Sequence, residues 1–116
     1  MPSASRNPYR VGRRREHYVM EKLRGWGALS VSRSMMSLGP ADVTALMPVD
    51  GGEQVWCIQV KTGKYLNYAA GLRLIEHSRE HGCVAIFVLG PKGKRIQWMR
   101  YAGTEWIQFS TPGEAP

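Results

Sequence analysis

The sequence predicts an α/β domain in which a mixed central β-sheet is flanked by helices, in the order α-β-β-β-α-β-β. Three observations predict it. Two segments of helical apolar periodicity, one near the N-terminus and one in the middle, alternate with strand-like apolar runs. The turn Asp50-Gly51-Gly52 joins two of those runs as a hairpin does. The run over residues 83–89 is continuously apolar, as expected of a central strand buried on both faces.

Each element follows from local signals. Residues 1–8 contain Pro2, Ser3, Ser5, Asn7 and Pro8 and are expected to form a flexible basic N-terminal arm. A helix is predicted over 9–24, stopped by Gly25 and Gly27. Within it Glu16, Val19, Met20 and Leu23 recur at i, i+3, i+4 and i+7, so the glutamate begins the inward stripe. Arg14 and Arg15 turn elsewhere, to solvent or a ligand. Strands are predicted over 28–34, 42–47 and 54–61. A second helix over 68–81 turns Leu72 and Ile75 inward, with Leu74 as a further inward residue, and stops at Gly82. After the strand at 83–89, Pro91-Lys92-Gly93-Lys94 turns the chain into an alternating strand marked by Ile96, Trp98 and Tyr101. A last short strand spans 106–109. No internal repeat is present, and the organisation is a single domain over 9–110 followed by a tail at 111–116.

Composition narrows the class. The 116 residues are 43% hydrophobic, enough for a core. No stretch approaches the ~20 apolar residues of a membrane span, and the N-terminus lacks the apolar block of a secretory leader. Cys57 and Cys83 both lie in strand-like runs; as two isolated cysteines they make neither a disulfide framework nor a zinc motif, and they read as buried, reduced thiols, the pattern of a cytoplasmic protein of a cell or a virus-infected host. His17, His77 and His81 show no ligand spacing and read as surface or helix-end residues.

Charge is unevenly placed. The net charge is +7, and residues 1–24 hold Arg6, Arg10, Arg13, Arg14, Arg15, Lys22 and Arg24 against Glu16 and Glu21. From Tyr101 onward there is no Lys or Arg. Such polarity points to a face that meets a polyanion, nucleic acid first; the blander reading is solubility alone. Trp98, Trp106 and Phe109 lie in the C-terminal third, away from the basic arm, where they serve either a homodimer seam or the monomer core, with some of both expected.

The chemistry-bearing pattern is Gly39-Pro40-Ala41-Asp42 at one strand start and Gln59-Val60-Lys61 at the end of the next. Alternation along a strand puts Gln59 and Lys61 on one face and Ile58 and Val60 on the other. If the two strands pair, Asp42, Gln59 and Lys61 meet. A carboxylate, an amide oxygen and an ammonium together suit metal-assisted cleavage of a phosphodiester. Taken singly, Asp42 is an ordinary strand-edge residue and Lys61 an ordinary strand-end lysine; the combination carries the reading.

With Glu16 in the first helix, this set resembles the PD-(D/E)xK nuclease superfamily, and over residues 9–101 the chain is similar to the archaeal-type Holliday junction resolvases. The narrower likeness rests on Gly12 to Glu16, Val31-Ser32-Arg33-Ser34, the Ile58-Gln59-Val60-Lys61 strand and the helix Leu72-Arg73-Leu74-Ile75-Glu76-His77-Ser78-Arg79. The resemblance implies a restriction-endonuclease-like fold and a homodimeric endonuclease that cuts four-way DNA junctions. It implies catalytic roles for Glu16, Asp42, Gln59 and Lys61. It also implies a Mg²⁺ site, with Mn²⁺ able to substitute, built from Asp42, the Gln59 side chain, the Val60 carbonyl and Glu16. Branched DNA would be held by Arg10, Arg13, Arg14, Arg15, Arg33, Ser34 and Lys64. Lys64 and Tyr65 serve equally well as a solvated loop, and residues 34–38, with paired methionines, as core filling or a junction-inserting loop.

Three departures stand out. Glutamine replaces the usual second acid at position 59, which predicts weaker metal binding with Glu16 compensating. His17 stands where arginine is frequent. The segment 62–68 is short. Two alternatives accompany the resolvase reading: a nuclease of the same fold with a restriction, repair or flap target, and a nucleic-acid-binding module that no longer cuts.

Overall fold

The structure, a computed structural model, describes residues 8–33, 40–61, 63, 67–90 and 95–112, with the side chains of the first helix described from Arg14 onward. The N-terminal arm, the Arg10 and Arg13 side chains, Ser34, the paired methionines, Lys64, Tyr65 and the end of the tail lie outside the described residues.

Helix α1 spans Pro8–Gly25. Strands β1 (Ser30–Arg33), β2 (Val43–Val49) and β3 (Gly52–Lys61) follow, then α2 (Tyr68–His81), β4 (Val84–Leu89), β5 (Gln97–Tyr101) and β6 (Trp106–Phe109). The six strands form one sheet in sequence order. β3 and β4 pair in parallel, and every other neighbouring pair is antiparallel. A parallel pair needs a crossover connection, and α2 supplies it. Among the described residues no helix is long and apolar enough to cross a membrane.

Alternation along the strands sorts the core into two layers. On one face Val43, Ala45, Met47, Trp56, Ile58, Ile86, Val88 and Trp98 pack with Val19 and Leu23 of α1. On the other, Cys57, Ala85, Phe87 and Leu89 pack with Ala70 and Leu74 of α2. β4 is therefore apolar at every position because both of its faces are covered, as its unbroken sequence run predicts.

The turns obey local chemistry. Asp50-Gly51 links β2 to β3 in the register Val49↔Gly52, and Gly51 sits at φ 82, in left-handed space open to glycine. Helix α2 starts where Asn67 Oδ1 accepts from the Ala70 N–H at 3.0 Å. It ends at Gly82, φ 65, and the Cys83 N–H returns to the Ser78 carbonyl at 3.0 Å. Helix α1 ends with a comparable return from the Ala28 N–H to the Leu23 carbonyl.

Several expectations need correction. Leu72 is 42% exposed, and the buried face of α2 is Ala70, Gly71, Leu74, Ile75 and Ser78. Small residues at 70 and 71 let the helix lie close to the sheet. Trp98 and Phe109 are core residues: the Trp98 ring lies tilted against Trp26 at 4.7 Å, and Phe109 and Trp56 meet edge to face at 5.8 Å. Trp106 is half-buried against Phe87 and Tyr101. Trp98 and Phe109 are thus used inside the monomer, while Trp106 and Tyr101 stay partly exposed. Cys57 and Cys83 are not isolated thiols, since their sulfurs lie 2.8 Å apart. Of the histidines, His17 and His81 are exposed as expected, but His77 is half-buried beside those cysteines.

Candidate active site

The β2–β3 register sets the geometry. Val43 faces Ile58, so one step earlier Asp42 lies beside Gln59 across the strand pair. The Asp42 backbone N–H donates to the Ile58 carbonyl at 2.8 Å, and its Oδ2 accepts from the Val60 N–H at 2.8 Å. The carboxylate is thereby fixed by β3 itself rather than by a mobile side chain. Burial pushes the Asp42 carboxyl above its ordinary value. The Val60 hydrogen bond and the nearby Lys61 charge pull it back without cancelling the effect.

Gln59 faces the α2 side of the sheet, next to Phe87 of β4. It is 8% exposed, and its Oε1 is buried with no hydrogen-bond partner among the described residues. An orphaned buried acceptor costs about 1–3 kcal/mol unless a ligand satisfies it. Lys61, the last residue of β3, falls on the same face by alternation and is exposed; its charge is felt at Asp42. The three predicted partners therefore converge.

Glu16 lies in the other layer, on α1. Its Oε1 lies 2.8 Å from Arg33 Nε, and Arg33 is the β1 residue in register with Val43, one position from Asp42. Two residues assigned separately in sequence, one to metal binding and one to DNA, are thus joined in an ion pair.

Arg14 is exposed at the surface of α1. Arg15 is half-buried, and its guanidinium packs so closely over Gly90 that a Cβ there would collide with it. Gly90 in turn donates its N–H to the Lys61 carbonyl at 2.8 Å. Arg15 consequently sits beside the ends of β3 and β4. Sequence reasoning missed this Gly90 contact, for no local pattern links a helix arginine to a glycine seventy-five residues later.

The donor set of the corner suits a hard divalent cation. It offers the Asp42 carboxylate, one buried amide oxygen with no described partner, and a positive charge alongside.

A mixed six-stranded sheet flanked by two helices, with this corner at the ends of β2 and β3, defines a restriction-endonuclease-like α/β fold. Among solved structures, the chain is similar to that of Archaeoglobus fulgidus Hjc, a Holliday junction resolvase from an archaeal hyperthermophile. The TM-score is 0.56 at 20% sequence identity, over 84% of this chain and 85% of that one. No family model and no curated protein matches the sequence.

Proposed function

We propose that the protein is a homodimeric, Mg²⁺-dependent endonuclease that cuts four-way DNA junctions. The observation that carries the reading is the Asp42 carboxylate, clamped by the Val60 N–H beside the orphaned Gln59 Oε1 and the Lys61 charge. Asp42, the Gln59 amide oxygen and the Val60 carbonyl would hold the cation, with Glu16 holding a second ion or its water. A bound Mg²⁺ supplies a polarised water and neutralises charge growing on the scissile phosphate.

The remaining work belongs to the chain. Lys61 places a fixed positive charge beside the attacked phosphate, favouring the more highly charged transition state. Arg15, Arg33 and the arginine-rich end of α1, with Ser34 and Lys64, grip the phosphate backbone, so recognition follows shape rather than base sequence. Two nicks placed symmetrically on a junction require two such sites related by a two-fold axis, hence a dimer. The likeness to a solved Holliday junction resolvase supports this target over other phosphodiesters.

One observation favours a second reading, a junction-binding module that does not cut: Gln59 supplies no charge where a second carboxylate strengthens a cation site. Incubating the protein with Mg²⁺ and labelled four-way junction, linear duplex and single strand separates the possibilities. Paired symmetric nicks on the junction alone support the proposal. Duplex cutting at a fixed sequence points to a restriction-type target, and tight junction binding with no cleavage in Mg²⁺ or Mn²⁺ establishes the binding module.

A further inference from the structure

A second cluster of ligating side chains lies on the α2 face of the sheet, apart from the Asp42 carboxylate. Cys57 is on β3 and Cys83 immediately precedes β4, while His77 is on the third turn of α2. These elements are distant in sequence and meet because β3 and β4 run in parallel with α2 crossing between them. One sulfur atom from each cysteine and one ring nitrogen of His77 all lie within 4.8 Å of one another. Cys57 is buried, and Cys83 and His77 are half-buried.

We propose that Cys57, Cys83 and His77 form a structural site for a thiophilic divalent cation, Zn²⁺ being the natural occupant. Zn²⁺ takes sulfur at about 2.3 Å and imidazole nitrogen at about 2.0–2.1 Å, so its tetrahedral ligands stand roughly 3.4–3.8 Å apart. The three groups already occupy a sphere of that scale, and binding requires the sulfurs to part from 2.8 Å by about 1 Å. Two thiol protons leave to solvent as the cation enters, and two thiolates with one dication make a neutral unit suited to a half-buried position. A water completes the shell. His81 lies one turn further along α2, its ring centroid 4.4 Å from that of His77, at the solvent side of the cluster.

The donor chemistry separates this site from the Asp42 corner. Sulfur and imidazole select zinc-like ions, whereas carboxylate and amide oxygens select Mg²⁺ or Mn²⁺. A pair of thiols destined only for a disulfide has no use for a third ligand, and the imidazole is what favours a metal. Occupied, the site ties the C-terminal half of α2 to the two central strands.

The test is a Co²⁺ titration of the reduced, metal-stripped full-length protein, read by thiolate-to-cobalt charge-transfer absorption, followed by Zn²⁺ displacement and thermal melting. The expected result is one Co²⁺ per chain, displaced by Zn²⁺, with Zn²⁺ raising the melting temperature. Cys83→Ser and His77→Ala should weaken binding by at least about ten-fold, while Asp42→Asn leaves it unchanged. These two positions are half-buried, so their variants remain informative if Cys57→Ser fails to fold. Absence of the charge-transfer band in the folded wild type overturns the proposal, as does His77→Ala binding with wild-type affinity. Ready formation of a Cys57–Cys83 disulfide, with no Co²⁺ affinity in the reduced protein, also overturns it and assigns the pair to redox chemistry. None of these readouts depends on nuclease activity.

Discussion

Asp42 Oδ2 accepts the Val60 N–H at 2.8 Å, so the carboxylate at the start of β2 is held by the backbone of the residue between Gln59 and Lys61. One hydrogen bond thereby couples strand pairing to the chemistry of the corner. Asp42→Asn keeps an oxygen to accept that N–H and removes only the charge. Junction cleavage should fall by at least about a hundred-fold, with junction affinity within a few-fold of wild type. Asp42→Ala leaves the Val60 N–H unpaired and should cost a further ~1–3 kcal/mol of stability, measurable by denaturant melts.

Stability should also carry a pH signature. Burial raises the Asp42 carboxyl above its ordinary 3.8, so folding favours its protonated form. That stabilisation is complete below 3.8 and disappears as pH rises through the raised value. In EDTA, Asp42→Asn should therefore gain stability relative to wild type between acid and neutral pH. Parallel melting curves for the two proteins across that range would contradict this.

Gln59 supplies oxygen without charge. Gln59→Glu should lower the Mg²⁺ concentration for half-maximal cleavage by roughly ten-fold. It should also destabilise the metal-free protein, because a second carboxylate enters a position only 8% exposed, beside Asp42. Mg²⁺ titrations and melts with and without the ion check both halves.

Arg15 offers a test in which no charge is removed. Gly90→Ala places a methyl group against the Arg15 guanidinium and should displace it. If Arg15 contacts phosphate, Gly90→Ala and Arg15→Ala should both weaken junction binding, and Arg15→Ala should lower the salt-dependence slope by about one. Fluorescence anisotropy over a salt series measures each.

Much of this was legible before the structure. The β2–β3 hairpin follows from Asp50-Gly51-Gly52 and the alternation beyond it, and the convergence of Asp42, Gln59 and Lys61 follows from that pairing. The two-sided burial of β4 follows from its unbroken apolar run. The inward face of α2 was less readable, because Ala70, Gly71 and Ser78 pack inward by being small, while the larger Leu72 is left exposed. The Cys57–Cys83–His77 cluster left no trace in sequence spacing, since the parallel register of β3 and β4 creates it. The Glu16–Arg33 pair depends similarly on where α1 crosses the end of β1.

The most direct measurement is a crystal structure of the protein soaked in Mn²⁺, with the ion located by anomalous scattering. A Mn²⁺ ion bonded to both Asp42 Oδ1 and Gln59 Oε1, and lost in Asp42→Asn, is the predicted result. Mn²⁺ bound elsewhere, with the Asp42 corner empty in a protein that cleaves junctions in Mn²⁺, would contradict it.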